Sequence, residues 1–268
     1  MRLAGKTVLL TGGGSGIGFA LARQLAAKGA RLALCGRRPE PLDEAVRVLR
    51  AAGGEAIRVR GDVAQEDDRA RMIDDTVRQL GGLDVLINNA GNVRAGRLEA
   101  THAADIQAMI EVDLLAPILM TQAALPYLRR SGEGLIVNIA SGIALIGMPF
   151  YAAYAAAKAG LARFGEALRR ELHGEGVRVL TAYPGATDTP MMASSKAGPD
   201  LGFVREAPEA VAAAIVEGVE RDALEVIRGG EARAKMIAFN RENPRALDER
   251  FASLKPRLLE AVKDHRAL

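Results

Sequence analysis

Tyr154 and Lys158 stand four residues apart, a spacing that places both side chains on one face of a helix. A free phenol has a pKa near 10, so tyrosine exchanges its proton poorly at neutral pH. An ammonium one turn away favours the phenolate and lowers that pKa. Such a tyrosine can give a proton to a carbonyl oxygen or take one from an alcohol. Tyr151 has Ala155 in the matching place and therefore no such partner. Packing is the competing reading for each tyrosine taken singly.

A second chemical signal is the run Thr11-Gly12-Gly13-Gly14-Ser15-Gly16-Ile17-Gly18, between an apolar stretch and an amphipathic one. Glycines let the backbone turn sharply and let an anion approach closely. A helix start adds unpaired N–H groups and the positive end of a dipole. Together they make a place for a pyrophosphate. The common dinucleotide spacing G-x-G-x-x-G fails at Ile17, and the spacing that holds is Gly12-x-x-x-Gly16-x-Gly18. No Gly-Lys-Ser/Thr follows, which argues against a nucleotide triphosphatase loop. At the end of the second strand, where NAD-binding folds often place an acid on the ribose 2′-hydroxyl, the chain reads Cys35-Gly36-Arg37-Arg38. Two guanidinium groups there suit a 2′-phosphate, so NADP(H) is expected in preference to NAD(H).

These groups need a frame. Apolar runs at 6–11, 31–35, 55–60, 84–88, 135–140, 177–182 and 223–227 read as seven strands. Amphipathic stretches at 16–28, 41–52, 66–80, 103–130, 150–173 and 208–221 read as the helices between them, the long one bent at Pro117. The alternation predicts an α/β fold with a doubly wound, parallel seven-stranded sheet. No break in the rhythm divides it, so 1–268 is expected to be a single domain. Its core covers about 4–228 and a helical C-terminal extension about 229–268. In that tail Leu247, Phe251, Leu254, Leu258 and Val262 recur at helical spacing, and Pro256 is expected to start a new helix or kink the old one.

Composition excludes other classes. The chain is 49% hydrophobic but only 4% aromatic, so its core must be aliphatic. A net charge of +3 comes without a basic stripe, which gives no support for nucleic-acid binding. One cysteine, Cys35, permits no internal disulfide and reads as a small buried hydrophobe. The uncharged stretch 142–157 is too short to span a bilayer and contains Pro149, so a membrane role is not expected. No signal peptide is visible, and the expected location is the cytoplasm. His102, His173 and His265 lie far apart without a carboxylate or cysteine cluster, so no metal site is expected.

Thr11-Gly12-x-x-x-Gly16-Ile17-Gly18, Asn88-Asn89-Ala90-Gly91, Ser141, Tyr154-x-x-x-Lys158 and Pro184-Gly185 occur in that order. The set resembles the short-chain dehydrogenase/reductases over about residues 4–228. The resemblance implies a Rossmann fold and hydride transfer between NADP(H) and a small carbonyl or alcohol substrate. It makes Tyr154 the general acid/base, with Ser141 holding the substrate oxygen and Lys158 also binding the nicotinamide ribose. It places the diphosphate on Gly12, Ser15, Gly16, Ile17 and Gly18, and the adenine beside Asp62 and Val63. Asn89, Ala90 and Gly91 fall beside the adenine ribose, and Pro184 and Gly185 open the loop over the nicotinamide. Thr187 and Thr189 are placed to bond its carboxamide. Relatives pair through the helices at 103–130 and 150–173, which implies a homodimer or homotetramer.

Two departures stand out. Many family members carry Asn where Glu111-Val112-Asp113-Leu114 stands here, and that Asn is thought to help hold a water in the proton relay. Asp113 replaces it with little change, pairs with Lys158, or impairs turnover; the first reading is preferred. The long tail is the second departure. Residues 191–208 fit a substrate lid, with Met191, Met192, Leu201 and Phe203 as apolar candidates, and Tyr183, Phe150 and Leu145 as further pocket residues. The alternatives to an enzyme are a cofactor-binding regulator with weak or no turnover, and a scaffold.

Overall fold

The computed structural model describes residues 1–267. β1 (Thr7–Thr11), β2 (Arg31–Gly36), β3 (Ala56–Arg60), β4 (Val85–Asn88), β6 (Gly134–Ile139), β7 (Val177–Tyr183) and β8 (Glu225–Ile227) form one sheet. Its order is β3-β2-β1-β4-β6-β7-β8, and every pairing is parallel. The strand residues of β1, β4 and β6 are buried throughout, as both faces carry helices. α1 (Gly16–Ala27), α2 (Pro39–Ala51) and α7 (Pro208–Glu220) cover one face through Leu21, Leu25, Leu42, Leu49, Val211 and Ile215. α3 (Glu66–Leu80), α4 (Ala103–Ile110), α5 (Ala116–Arg130) and α6 (Ala152–Glu171) lie on the other. There Met72, Met120, Ala124 and Leu168 pack on Leu9, Leu86 and Ile136. The strand order reverses between β1 and β4, and in such sheets the crevice beyond the strands' carboxyl ends at that point receives ligands. Cys35 is fully buried in β2, which pushes its thiol up and keeps it unreactive.

The expected alternation of strands and helices is present, with three local differences. The helix expected from 150 begins at Ala152, because Phe150 takes φ 71° and cannot continue into a helix. The long helix is interrupted by a π turn, Glu111–Leu115, just before Pro117. Proline has no N–H for the carbonyl four residues back, here that of Asp113, and the adjacent N–H of Ala116 reaches back to Glu111 instead. Ala103–Arg130 is long and apolar enough to cross a membrane by composition. Here its apolar side, including Met109, Val112, Ala116 and Met120, is core.

The tail differs most from expectation. It forms α8 (Gly230–Glu242) and α9 (Pro244–Val262), and the break falls at Pro244 rather than Pro256. Pro256 sits inside α9 on its exposed side, where the carbonyl it leaves unpaired reaches water. The chain then returns as β9 (Arg266–Ala267), antiparallel to β5 (Val93–Arg94), the segment after β4. Leu258 and Val262 of α9 pack with Val93, Tyr151 and Leu201 in a third apolar cluster. This cluster ties the tail to the loops at the carboxyl end of the sheet. Leu258→Ala is expected to cost about 2–5 kcal/mol, as for other fully buried leucines. A urea unfolding curve measures this, and a loss below about 1 kcal/mol would show that the tail is not anchored there.

Candidate active site

Each parallel strand delivers its loop to the same crevice. β1 leads into the glycine run, β2 into Arg37 and Arg38, β3 into Asp62 and Val63, and β4 into Asn89, Ala90 and Gly91. β6 leads to Ser141, β7 into Pro184 and Gly185, and α6 contributes Tyr154 and Lys158. All of these line one continuous groove together with Gly12, Ser15, Gly16, Ile17, Gly18, Thr187 and Thr189. Asp113 alone among the expected site residues lies behind the wall, fully buried.

The glycine loop fits a diphosphate. Ser15 precedes α1 without capping it by its side chain, so the first-turn N–H groups of α1 face the groove without a side-chain acceptor. A Cβ at Gly18 would lie 2.2 Å from the Gly12 carbonyl oxygen, so only glycine permits this close packing of loop on helix. The Asn89 side chain donates to the carbonyls of Thr11 (2.9 Å) and Gly12 (3.2 Å), and its backbone N–H to Thr11 Oγ1 (3.0 Å). Asn89 therefore fixes the loop. At the far end of the groove Arg37 Nη1 lies 3.9 Å from Asp62 Oδ2, and Arg38 has no ion pair among the described residues. Thr187 donates to the Gly185 carbonyl at 3.1 Å, and Thr189 packs against Gly16.

At the other end, Lys158 Nζ is buried, 2.9 Å from Asp113 Oδ1, and donates to the Ile139 carbonyl at 3.0 Å. The backbone N–H of Asn92 donates to both Asp113 oxygens, at 3.3 and 3.1 Å. Burial pushes the Asp113 carboxyl up from the usual carboxylate range, and the Lys158 ammonium and the Asn92 N–H oppose this. Beside the pair stands Gly91, where a Cβ would come within 2.7 Å of Asp113 Oδ1 and 3.5 Å of Lys158 Nζ. Of the three readings of Asp113, the geometry displays the pairing with Lys158.

The pair changes the electrostatics expected for Tyr154. Burial pushes the phenol up; Lys158 and a hydrogen bond with Ser141 oppose this, and Asp113 reinforces it. The lysine lowers the tyrosine as expected, but burial and the carboxylate outweigh it. For Lys158, burial pulls the ammonium down, and Asp113 and Tyr154 more than restore it, so it stays charged. Ser141 Oγ also accepts the N–H of Ile143 at 3.3 Å, which orients it.

The apolar wall differs in part from expectation. Met191, Met192 and Phe203 line the groove, joined by Ile143, Met148 and Tyr151. Tyr183, Phe150, Leu145 and Leu201 do not; the Tyr183 hydroxyl instead donates to Glu225 at 3.0 Å. His265 was no candidate by sequence, yet its ring bonds the Tyr151 hydroxyl (2.9 Å) and the Met191 carbonyl (3.1 Å) in the groove wall. Ser194 Oγ and the Arg266 backbone exchange hydrogen bonds beside it. The loop after β7 is thus strapped to the tail. Only the order of tail residues could have signalled this, since the contact spans more than 70 positions.

With the groove described, comparison with known proteins is informative. The family model for short chain dehydrogenases matches residues 6–200. A ketoacyl reductase, HetN, of Nostoc sp. is 36% identical over 227 residues, covering 84% of this chain and 79% of that protein. An Arabidopsis thaliana 11-beta-hydroxysteroid dehydrogenase-like protein is 38% identical over 225 residues, covering 82% of this chain and 72% of its own. The crystal structure of a short chain dehydrogenase from Burkholderia cenocepacia in complex with NADP aligns with TM-score 0.77 and 33% identity, covering 86% of this chain and 98% of that one. This chain belongs to the short-chain dehydrogenase/reductase family and is an NAD(P)-dependent oxidoreductase.

Removing the carboxylate while keeping the buried ammonium gives a direct test of the pair. Asp113→Ala is expected to lose about 3–5 kcal/mol of stability, the usual cost of orphaning a buried charge. Asp113→Asn, which retains an acceptor, should lose less, as read from urea midpoints at pH 7. Equal and small losses in both variants would mean that the pair holds nothing.

Proposed function

We propose that this chain is an NADP(H)-preferring enzyme that interconverts a carbonyl and an alcohol on a small, partly apolar substrate, with Tyr154 as general acid/base. The observation that carries this reading is one groove with Arg37 and Arg38 at one end and Tyr154, Ser141 and Lys158 at the other. The nicotinamide, when bound, supplies or accepts the hydride. Ser141 holds the substrate oxygen against Tyr154, and Tyr154 gives it a proton in reduction or takes one in oxidation. Lys158 stays charged, supports the phenolate and offers its free N–H to a ribose hydroxyl. Gly12, Ser15, Gly16, Ile17 and Gly18 hold the diphosphate, and Asp62 and Val63 flank the adenine. Asn89, Ala90 and Gly91 wall the ribose, and Pro184, Gly185, Thr187 and Thr189 close over the nicotinamide end. A cytoplasmic homodimer or homotetramer, paired through α5 and α6, belongs to the same reading. Leu115, at the junction of the π turn and α5, is 40% exposed and available to such a contact.

Calorimetric titration with NADPH and with NADH at one salt concentration tests the cofactor assignment. NADPH is expected to bind about 10- to 100-fold more tightly, the worth of one charge-assisted contact. Arg37→Ala/Arg38→Ala should remove that preference. Tyr154→Phe should bind NADPH as the wild type does and lose turnover by about two orders of magnitude or more. Binding of neither cofactor would favour the regulator or scaffold.

Asp113 also sets a direction. Its charge opposes formation of the phenolate, so Tyr154 keeps its proton and is ready to donate it to a carbonyl. The ketoacyl reductase activity named for the Nostoc relative is of this kind. Alcohol oxidation needs the phenolate and should therefore rise with pH along a limb set by Tyr154. In Asp113→Asn the opposing charge is gone, and that limb should move toward acid by about one pH unit or more. Superimposable pH profiles of kcat/KM would remove the carboxylate from this account.

A further inference from the structure

Four cations line the groove beyond the glycine loop's own dipole: Lys158, Arg37, Arg38 and Arg233. Lys158 is matched by Asp113, and Arg37 has Asp62 nearby. The side chain of Arg233, in the first turn of α8, makes neither a hydrogen bond nor an ion pair among the described residues, while its backbone N–H bonds the Gly229 carbonyl. It is nevertheless partly buried, and burial pulls its guanidinium down. The one carboxylate that acts on it, Glu206, accepts both Nε and Nη2 of Arg228.

Arg233 is also placed with care. A Cβ at Gly142 would lie 3.0 Å from its Cζ, 3.0 Å from Nη2 and 3.1 Å from Nη1. Three nearly equal distances mean that the guanidinium lies flat on the Gly142 α-carbon. A side chain at Gly229 would crowd its stem as well, with Cβ at 3.0 Å. Two positions without side chains thus make room for the plane, and its N–H edge is left without an acceptor. Gly142 directly follows Ser141, so this edge sits beside the site of proton transfer, at the opposite end of the groove from Arg37 and Arg38. The same groove has an apolar wall that includes Ile143, Met148, Met191 and Phe203, packed together with Tyr154.

From this placement we infer that Arg233 is a specificity-determining residue that binds a carboxylate on the substrate, so the enzyme acts on oxo or hydroxy acids with an apolar body. The inference rests on the proposed oxidoreductase reading for the location of the substrate. A carboxylate meets a guanidinium edge bidentately, and the low-dielectric wall strengthens that contact. The mobile part of the substrate, its aliphatic chain, then lies along the methionines and Phe203.

Octanoate and octanamide are matched probes that differ only in charge at the head group. Calorimetric titration of the NADPH-saturated full chain is expected to show octanoate binding about 10- to 100-fold more tightly. Arg233→Gln should abolish that preference while leaving octanamide and NADPH binding unchanged, and Arg233→Lys should retain part of it. An acid that binds no better than the amide, including no binding of either, overturns the proposal. So does a preference that survives in Arg233→Gln, or an Arg233→Gln whose defect is in NADPH affinity, which would make Arg233 a cofactor residue. A wild-type chain that binds no NADPH fails the oxidoreductase reading instead; the same two probes titrated on the chain alone then decide the role of Arg233 separately.

Discussion

The Lys158 ammonium stands where three elements meet: α6, which carries it; the end of β6, whose Ile139 carbonyl it bonds; and the π turn that holds Asp113. A buried ammonium without partners would lose its proton or its place. The ion pair prevents both and thereby fixes the register of α6 against the sheet. Tyr154, one turn earlier on α6, inherits its position from that register. Gly91 is confined by the same pair, since any side chain there would strike the carboxylate. Much of the active end of the groove therefore follows from one buried charge and its counter-charge.

How much of this could be read from the sequence depended on range. Ser141, Tyr154 and Lys158 belong to one strand–loop–helix unit, so their spacing reports their geometry almost directly. The glycine loop and the Arg37–Arg38 pair are equally local, because each is fixed by the strand just before it. The sequence leaves the pairing of Asp113 with Lys158 as one of three alternatives. It depends on a π turn that reorients Asp113, and the cause, Pro117, signals a disruption without giving its form. The tail was legible as helices from its apolar spacing. Its break at Pro244 was not, since a proline is tolerated mid-helix where the carbonyl it orphans faces water, as at Pro256. His265 and Arg233 enter the groove only because α8, α9 and β9 fold back over it. No local pattern announces such a return.

The distribution of charge along the groove has its own logic. Arg38 at one end and Arg233 at the other carry no counter-ion among the described residues, whereas the central ammonium is fully matched. A charge left unpaired in a partly buried place, as at Arg233, costs free energy that an arriving anion recovers, whereas Arg38 is exposed and keeps its water until an anion binds. Anions at both places would position a ligand lengthwise. The ground around Tyr154 has the opposite requirement, because proton transfer at the proposed acid/base would change the local charge by one. A strong unmatched cation there would fix the phenolate and slow the return of its proton. With Asp113 beside Lys158, the ammonium holds its place while its field on Tyr154 is offset by the carboxylate and by burial. With burial added, the balance at the reacting centre lies on the side of the protonated tyrosine, and the phenolate is reached only as pH rises.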